Sequence, residues 1–154
     1  MKPSTHTSTE VLNITTAEGV PKHRVFLLDT AYVLLDDYKA ADYFRDLALK
    51  VQSLLSHWAE DFSDCDKYSR ILQSLAALTH AEQWAKIPGV KPAGLAIGVF
   101  NYIQDSDRKG HSINVLLTKK RDKDSFCLRF FEPQTGEEVS LSAREITSTT
   151  MLLL

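Results

Sequence analysis

The chain has 154 residues, 44% of them hydrophobic and 25% charged, which is the composition of one ordinary globular domain able to bury its own core. A formal net charge of −2 gives no electrostatic ground for a nucleic-acid partner. No apolar run approaches bilayer-spanning length, and Met1–Thr7 is followed by no signal-peptide core, so a soluble, cytoplasmic protein with no membrane partner is expected.

Residues 1–23 are rich in Ser, Thr, Glu and Lys and read as a flexible arm, with a short strand at Val11–Ile14. A single domain is expected over 24–154. Arg24–Leu28 is a short apolar segment, and Asp29-Thr30 and Asp36-Asp37 are turn or cap signals around Tyr32–Leu35. Tyr43, Leu47, Val51, Leu54, Leu55 and Trp58 recur at helical spacing and predict a helix ending near Trp58. A second helix is predicted from Asp64 or Cys65 to Trp84, with Asp64 as N-cap and Tyr68, Ile71, Leu72, Leu75 and Leu78 as its apolar stripe. Prolines and glycines between Ile87 and Gly94 break it.

Strands follow. Leu95–Gln104, His111–Thr118 and Phe126–Phe131 are separated by the turn Asp105–Gly110 and by a polar tip, Lys119–Asp124, whose mixed charges read as a solvated hairpin end. In the second strand Ile113, Val115 and Leu117 alternate with Ser112, Asn114 and Leu116. Pro133–Gly136 is a turn, Glu138–Leu141 returns from it, and Thr150–Leu154 is a last short strand. Helices first and an antiparallel sheet second predict an α+β fold.

Three residues stand where chemistry is possible. Cys65 falls in the first turn of a helix, where free amides and the dipole favour a thiolate, although Asp64 and Asp66 oppose it. His111 follows Gly110 at a strand mouth, and Glu132 ends the next strand. A hairpin joining those strands brings His111 and Glu132 to one edge, where the carboxylate can accept from the imidazole. Gln134 is a neutral alternative for the same task. The other cysteine, Cys127, is left either as a free thiol or as a bridge to Cys65 if the protein is exported.

Asp64-Cys65-Asp66, then Gly110-His111-Ser112-Ile113-Asn114, then Glu132-Pro133-Gln134-Thr135-Gly136 resemble the motifs of the papain-like cysteine protease domain at the C-terminus of the Marasmius oreades agglutinin and of related bacterial and phage domains. The likeness covers roughly residues 55–154, and Glu-Pro-Gln-Thr-Gly is its most specific part. It implies a papain-like fold and a Cys-His-Glu triad of Cys65, His111 and Glu132, supported by Gln134, Asn114, Asp64 and Asp66. It further implies a cysteine-dependent hydrolase acting on a protein or peptide through a thioester. The alternatives are a transamidase, or a non-catalytic interaction module that keeps the fold. The sequence requires no cofactor. Calcium enters through the resemblance alone, and Lys67 stands where the family often has a further acid. The agglutinin's sugar-binding unit has no counterpart in so short a chain, so glycan binding is not expected. Substrate identity and oligomeric state are not legible.

Overall fold

The computed structural model describes residues 5–55, 65–120 and 125–154. In chain order its elements are β1 (Thr5–Thr7), α1 (Ser8–Ala17), a 3-10 turn (Lys22–Arg24), β2 (Val25–Phe26), β3 (Ala31–Val33), β4 (Leu35–Asp36), α2 (Asp37–Leu55) and α3 (Cys65–Trp84). There follow β5 (Gly94–Leu95), β6 (Ile97–Ile103), β7 (Gly110–Lys119), β8 (Phe126–Phe131), β9 (Glu138–Val139), α4 (Ala143–Thr147) and β10 (Met151–Leu153).

The main sheet runs in the order β2-β10-β6-β7-β8-β9, with β4 also pairing the far end of β7. A small second sheet has the order β1-β3-β5. Strand β7 is buried continuously from Ser112 to Thr118, because both of its faces are covered. Alternation along a strand sends successive side chains to opposite faces. Ile113, Val115 and Leu117 therefore pack with Val11, Phe100, Phe130 and Leu152 in one core. Leu116 faces the other core, where it meets Phe44, Val51, Leu72 and Phe131 from α2, α3 and β8. The rings of Phe44 and Phe131 stack with centroids 4.5 Å apart, fixing α2 on the sheet.

The α+β class holds, with three corrections to the predicted elements. The sheet is mixed rather than antiparallel, since β2–β10 and β4–β7 are parallel pairs, as is β3–β5 in the small sheet. Residues 8–17, read as arm with a strand at 11–14, form helix α1 instead. Thr7 starts it with a capping box: its hydroxyl accepts from the Glu10 amide while Glu10 accepts from the Thr7 amide. Val11 is fully buried on its inner face, which is why this polar-looking segment is ordered. Helix α2 begins at Asp37, six residues before the apolar recurrence that predicted it, because Ala40 is buried and extends the stripe backwards. The predicted end of that helix near Trp58 and the tip at 121–124 lie outside the described residues.

Among the described residues no helix is long and apolar enough to cross a membrane.

Candidate functional site

Helix α3 carries Cys65 in its first turn, as predicted. Three fully or nearly buried polar residues tie that turn to the sheet. Ser69 Oγ lies 2.7 Å from the Cys65 carbonyl and 3.2 Å from the Ser112 carbonyl. Asn114 Nδ2 donates to the carbonyls of Ser69, at 2.9 Å, and Gly98, at 3.0 Å. Ser112 Oγ donates to Asn101 Oδ1 at 2.7 Å. The two hydroxyls and the Asn114 Nδ2 thus find partners on a neighbouring element, which makes the helix start a fixed platform, while Asn114 Oδ1 is buried without a partner among the described residues. Asn114, expected as a supporting residue, lies wholly buried.

His111 sits at the mouth of β7, opposite Tyr102 of β6 in the register, with the two rings edge to face at 5.8 Å. Its Nε2 lies 3.0 Å from Glu132 Oε2. A carboxylate only accepts, so the ring donates and Nε2 carries a proton. Glu132 is held by a tight turn: its amide donates to the Glu137 carbonyl and its carbonyl accepts from the Gly136 amide, both at 2.8 Å. Gly136 takes φ +75°, and a Cβ there would press within 3.0 Å of Ala48 on α2. Gln134 contributes to the docking, since its carbonyl accepts from Gln52 of α2. The hairpin geometry expected from the sequence therefore brings His111 and Glu132 together.

Cys65, Asp66, Tyr102, His111 and Ser112 line one open cleft of about 300 Å³ between α3, β6 and β7. No hydrogen bond joins the Cys65 thiol to the imidazole among the described residues. Burial, reinforced by the charge of Glu145, pushes the Tyr102 hydroxyl up to about 12, so it stays a neutral donor at physiological pH. Asp61 and Asp64, acids that flank Cys65 on its N-terminal side and could offer oxygen ligands to calcium, lie outside the described residues. Among the described residues no three His, Cys, Asp or Glu side chains gather into a metal site.

Both cysteines are free thiols, so the alternative of a Cys65–Cys127 bridge is set aside. Burial pushes the Cys127 thiol up, and the nearby Asp37 carboxylate, 3.5 Å from the sulfur, raises it further despite the Thr118 hydroxyl at 3.1 Å. Less thiolate then forms at a given pH, and the thiolate is the reactive species. Iodoacetamide at pH 8 is expected to modify Cys65, which faces the open cleft, about tenfold faster than Cys127. Peptide mapping by mass spectrometry measures both rates, and a faster Cys127 would contradict the arrangement.

No protein-family model matches this chain, and no curated protein matches it. Solved structures share its fold. One, described as a PSL1a–E64 complex, superposes with a TM-score of 0.69 at 20% identity, over 97% of this chain and 50% of that one. Another is a Polyporus squamosus lectin bound to the human-type influenza-binding epitope Neu5Aca2-6Galb1-4GlcNAc, with a TM-score of 0.68 at 20% identity over 97% of this chain and 49% of that one. The chain spans about half the length of these structures. Their identification as lectin structures corrects the expectations drawn from the motif resemblance. The expected membership with the papain-like cysteine proteases, and the expected action as a cysteine-dependent hydrolase or transamidase, are therefore withdrawn.

Proposed function

We propose that this chain is a non-catalytic interaction module that keeps a papain-like layout and holds its partner in the cleft between the start of α3 and the mouth of β7. The observation that carries this reading is at Cys65: its thiol forms no hydrogen bond to the His111 ring among the described residues, although Glu132 accepts from the ring's Nε2 at 3.0 Å. The cleft thus offers a fixed array of hydrogen-bonding groups rather than a thiol already paired with its base. The buried network under Cys65 supports the same reading, since a preorganised surface binds without first being ordered.

The proposed partner is a short polypeptide segment lying along the strand mouth. Gly110 supports this, because a Cβ built there meets nothing within 4 Å, leaving the backbone edge approachable. A glycan is the second reading, favoured by the sialylated epitope on one of the lectin neighbours.

Titration of the isotope-labelled chain with a tetrapeptide mixture, with that trisaccharide and with E64 tests the proposal. Reversible, saturable shifts at Cys65, Tyr102 and Gly110–Ser112, retained in Cys65→Ala, are expected from peptide. Saturation by the trisaccharide alone would move the reading to glycan. Covalent capture of E64 on Cys65, seen by intact mass, or turnover of the peptides, would overturn the non-catalytic reading.

A further inference from the structure

A second cavity lies away from this cleft. It has a volume of about 400 Å³ and forms between the second half of α3, the segment entering β5, and the loop after β2. From Cys65 to His80 the helix rises over 80 − 65 = 15 residues, about 22 Å at 1.5 Å per residue. The two sites are therefore separate places on one helix.

The body of the cavity is apolar, built from Leu28, Ala77, Ala81, Pro92, Leu95 and Ile97. Its polar groups share one property. Gln73 Nε2 already donates to the carbonyls of Ile97, at 3.3 Å, and Leu153, at 3.0 Å, leaving Oε1 as the free end. Ser74 Oγ donates to the Arg70 carbonyl at 2.9 Å. His80 Nε2 lies 3.1 Å from the Ala93 carbonyl; a carbonyl carries no proton, so the ring donates there, and in the neutral ring Nδ1 presents a lone pair. The Asp29 carboxylate leans over Gly94, where a Cβ would come within 2.0 Å of Oδ2, and it makes no side-chain hydrogen bond or ion pair among the described residues. No lysine or arginine lines the cavity. What remains for a ligand is a set of acceptors, one of them charged, above an apolar floor.

We infer that this cavity is a binding site for a small primary amine in its ammonium form, carried on an aliphatic or aromatic body. An ammonium has three donors and no acceptor, and so complements Asp29, His80 Nδ1 and Gln73 Oε1 together. A carboxylate or phosphate ligand would face only acceptors. The apolar body takes the place of water against Ala77, Ala81 and Ile97. Nothing in the cleft at Cys65 is needed for this binding.

The test titrates the full chain, labelled at its alanine methyls and uniformly with the heavy nitrogen isotope, with hexylammonium and with hexanoate. Saturable shifts at Ala77, Ala81 and Ala93 are expected from hexylammonium, with hexanoate giving none. Trp84, whose ring lies 5.2 Å from that of His80, should report the same event through its indole resonance. Asp29→Asn keeps the shape and removes the charge, and is expected to weaken binding about tenfold, as loss of one charge-assisted contact does. Ala77→Trp should fill the cavity and abolish the shifts. Circular dichroism of both variants confirms that they are folded, and Asp29→Asn remains decisive if Ala77→Trp is not. Equal response to hexanoate, unchanged affinity in folded Asp29→Asn, or shifts confined to Gly110–Ser112 would overturn the assignment.

Discussion

Phe44→Ala should lose about 4 kcal/mol of folding stability, the usual cost of removing a buried phenylalanine without refilling its space. Phe44 is fully buried, and its ring stacks on Phe131, also fully buried, at 4.5 Å. Three separate contributions go with it: the transfer of the ring, the cavity left behind and the aromatic pair itself. For a chain of this size the melting temperature should fall on the order of 10 °C. Because Phe131 immediately precedes Glu132, the same change frees the end of β8 and loosens the turn that presents the carboxylate to His111. Denaturant unfolding reads the stability, and a midpoint shift with an unchanged slope places the loss in the folded state. A loss below about 1 kcal/mol would mean the α2–sheet contact is not the anchor described.

Asn114→Ala is expected to cost about 3 kcal/mol, through a different mechanism. The amide bridges the carbonyls of Ser69 and Gly98 in a site with no solvent exposure. Removing it leaves two buried acceptors without this donor, and each unsatisfied group costs roughly 1–3 kcal/mol. Asn114→Asp separates this from simple loss of volume. The aspartate is the same size, but its ionised form cannot donate and brings a charge into the interior. It should be at least as damaging as alanine at pH 7, and should recover part of the loss as the pH falls and the group takes up a proton. A mild Asn114→Asp would show that volume, not hydrogen bonding, holds the start of α3. The functional consequence is local: α3 loses a tie to β6 and β7, so the cleft at Cys65 becomes a looser ligand surface while the Phe44 core remains.

Several elements were legible because their signal is local. Helix α3, strands β6 to β8 and the turn after Glu132 follow directly from helical spacing, alternation and glycine. The His111–Glu132 contact was legible too, since a hairpin leaves little freedom in where its two ends meet. Helix α1 was missed although Thr7-Ser8-Thr9-Glu10 carries a capping-box pattern ahead of Val11. The Ser and Thr content of the segment outweighed a four-residue signal. The parallel pairings were not legible, because β2 meets β10 across more than a hundred residues and neither strand has a pattern that names its partner.

The purpose of the cleft was the least legible of all. Cysteine, histidine and glutamate in the order of a protease motif imply hydrolysis only through likeness, and the fold is shared with lectin structures. The second cavity left no motif at all. Asp29, Gln73 and His80 come from two elements, and their common character as acceptors emerges only once their other hydrogen bonds are counted.

The place of β10 has a consequence for how the chain is made. This strand sits between β2 and β6, and the Leu154 backbone also bonds to Phe26 and Leu28. During synthesis, β2 emerges early and waits for a partner that is translated more than a hundred residues later. Until then the hydrogen-bonding edge of β6 is open, and the core on that side lacks Leu152. Such distant closure makes folding slow and leaves an unpaired edge to be guarded on the ribosome. Completion of the sheet is therefore among the last steps in forming this fold, and nascent chains halted before Met151 should depend on chaperones in a way that chains carrying β10 do not.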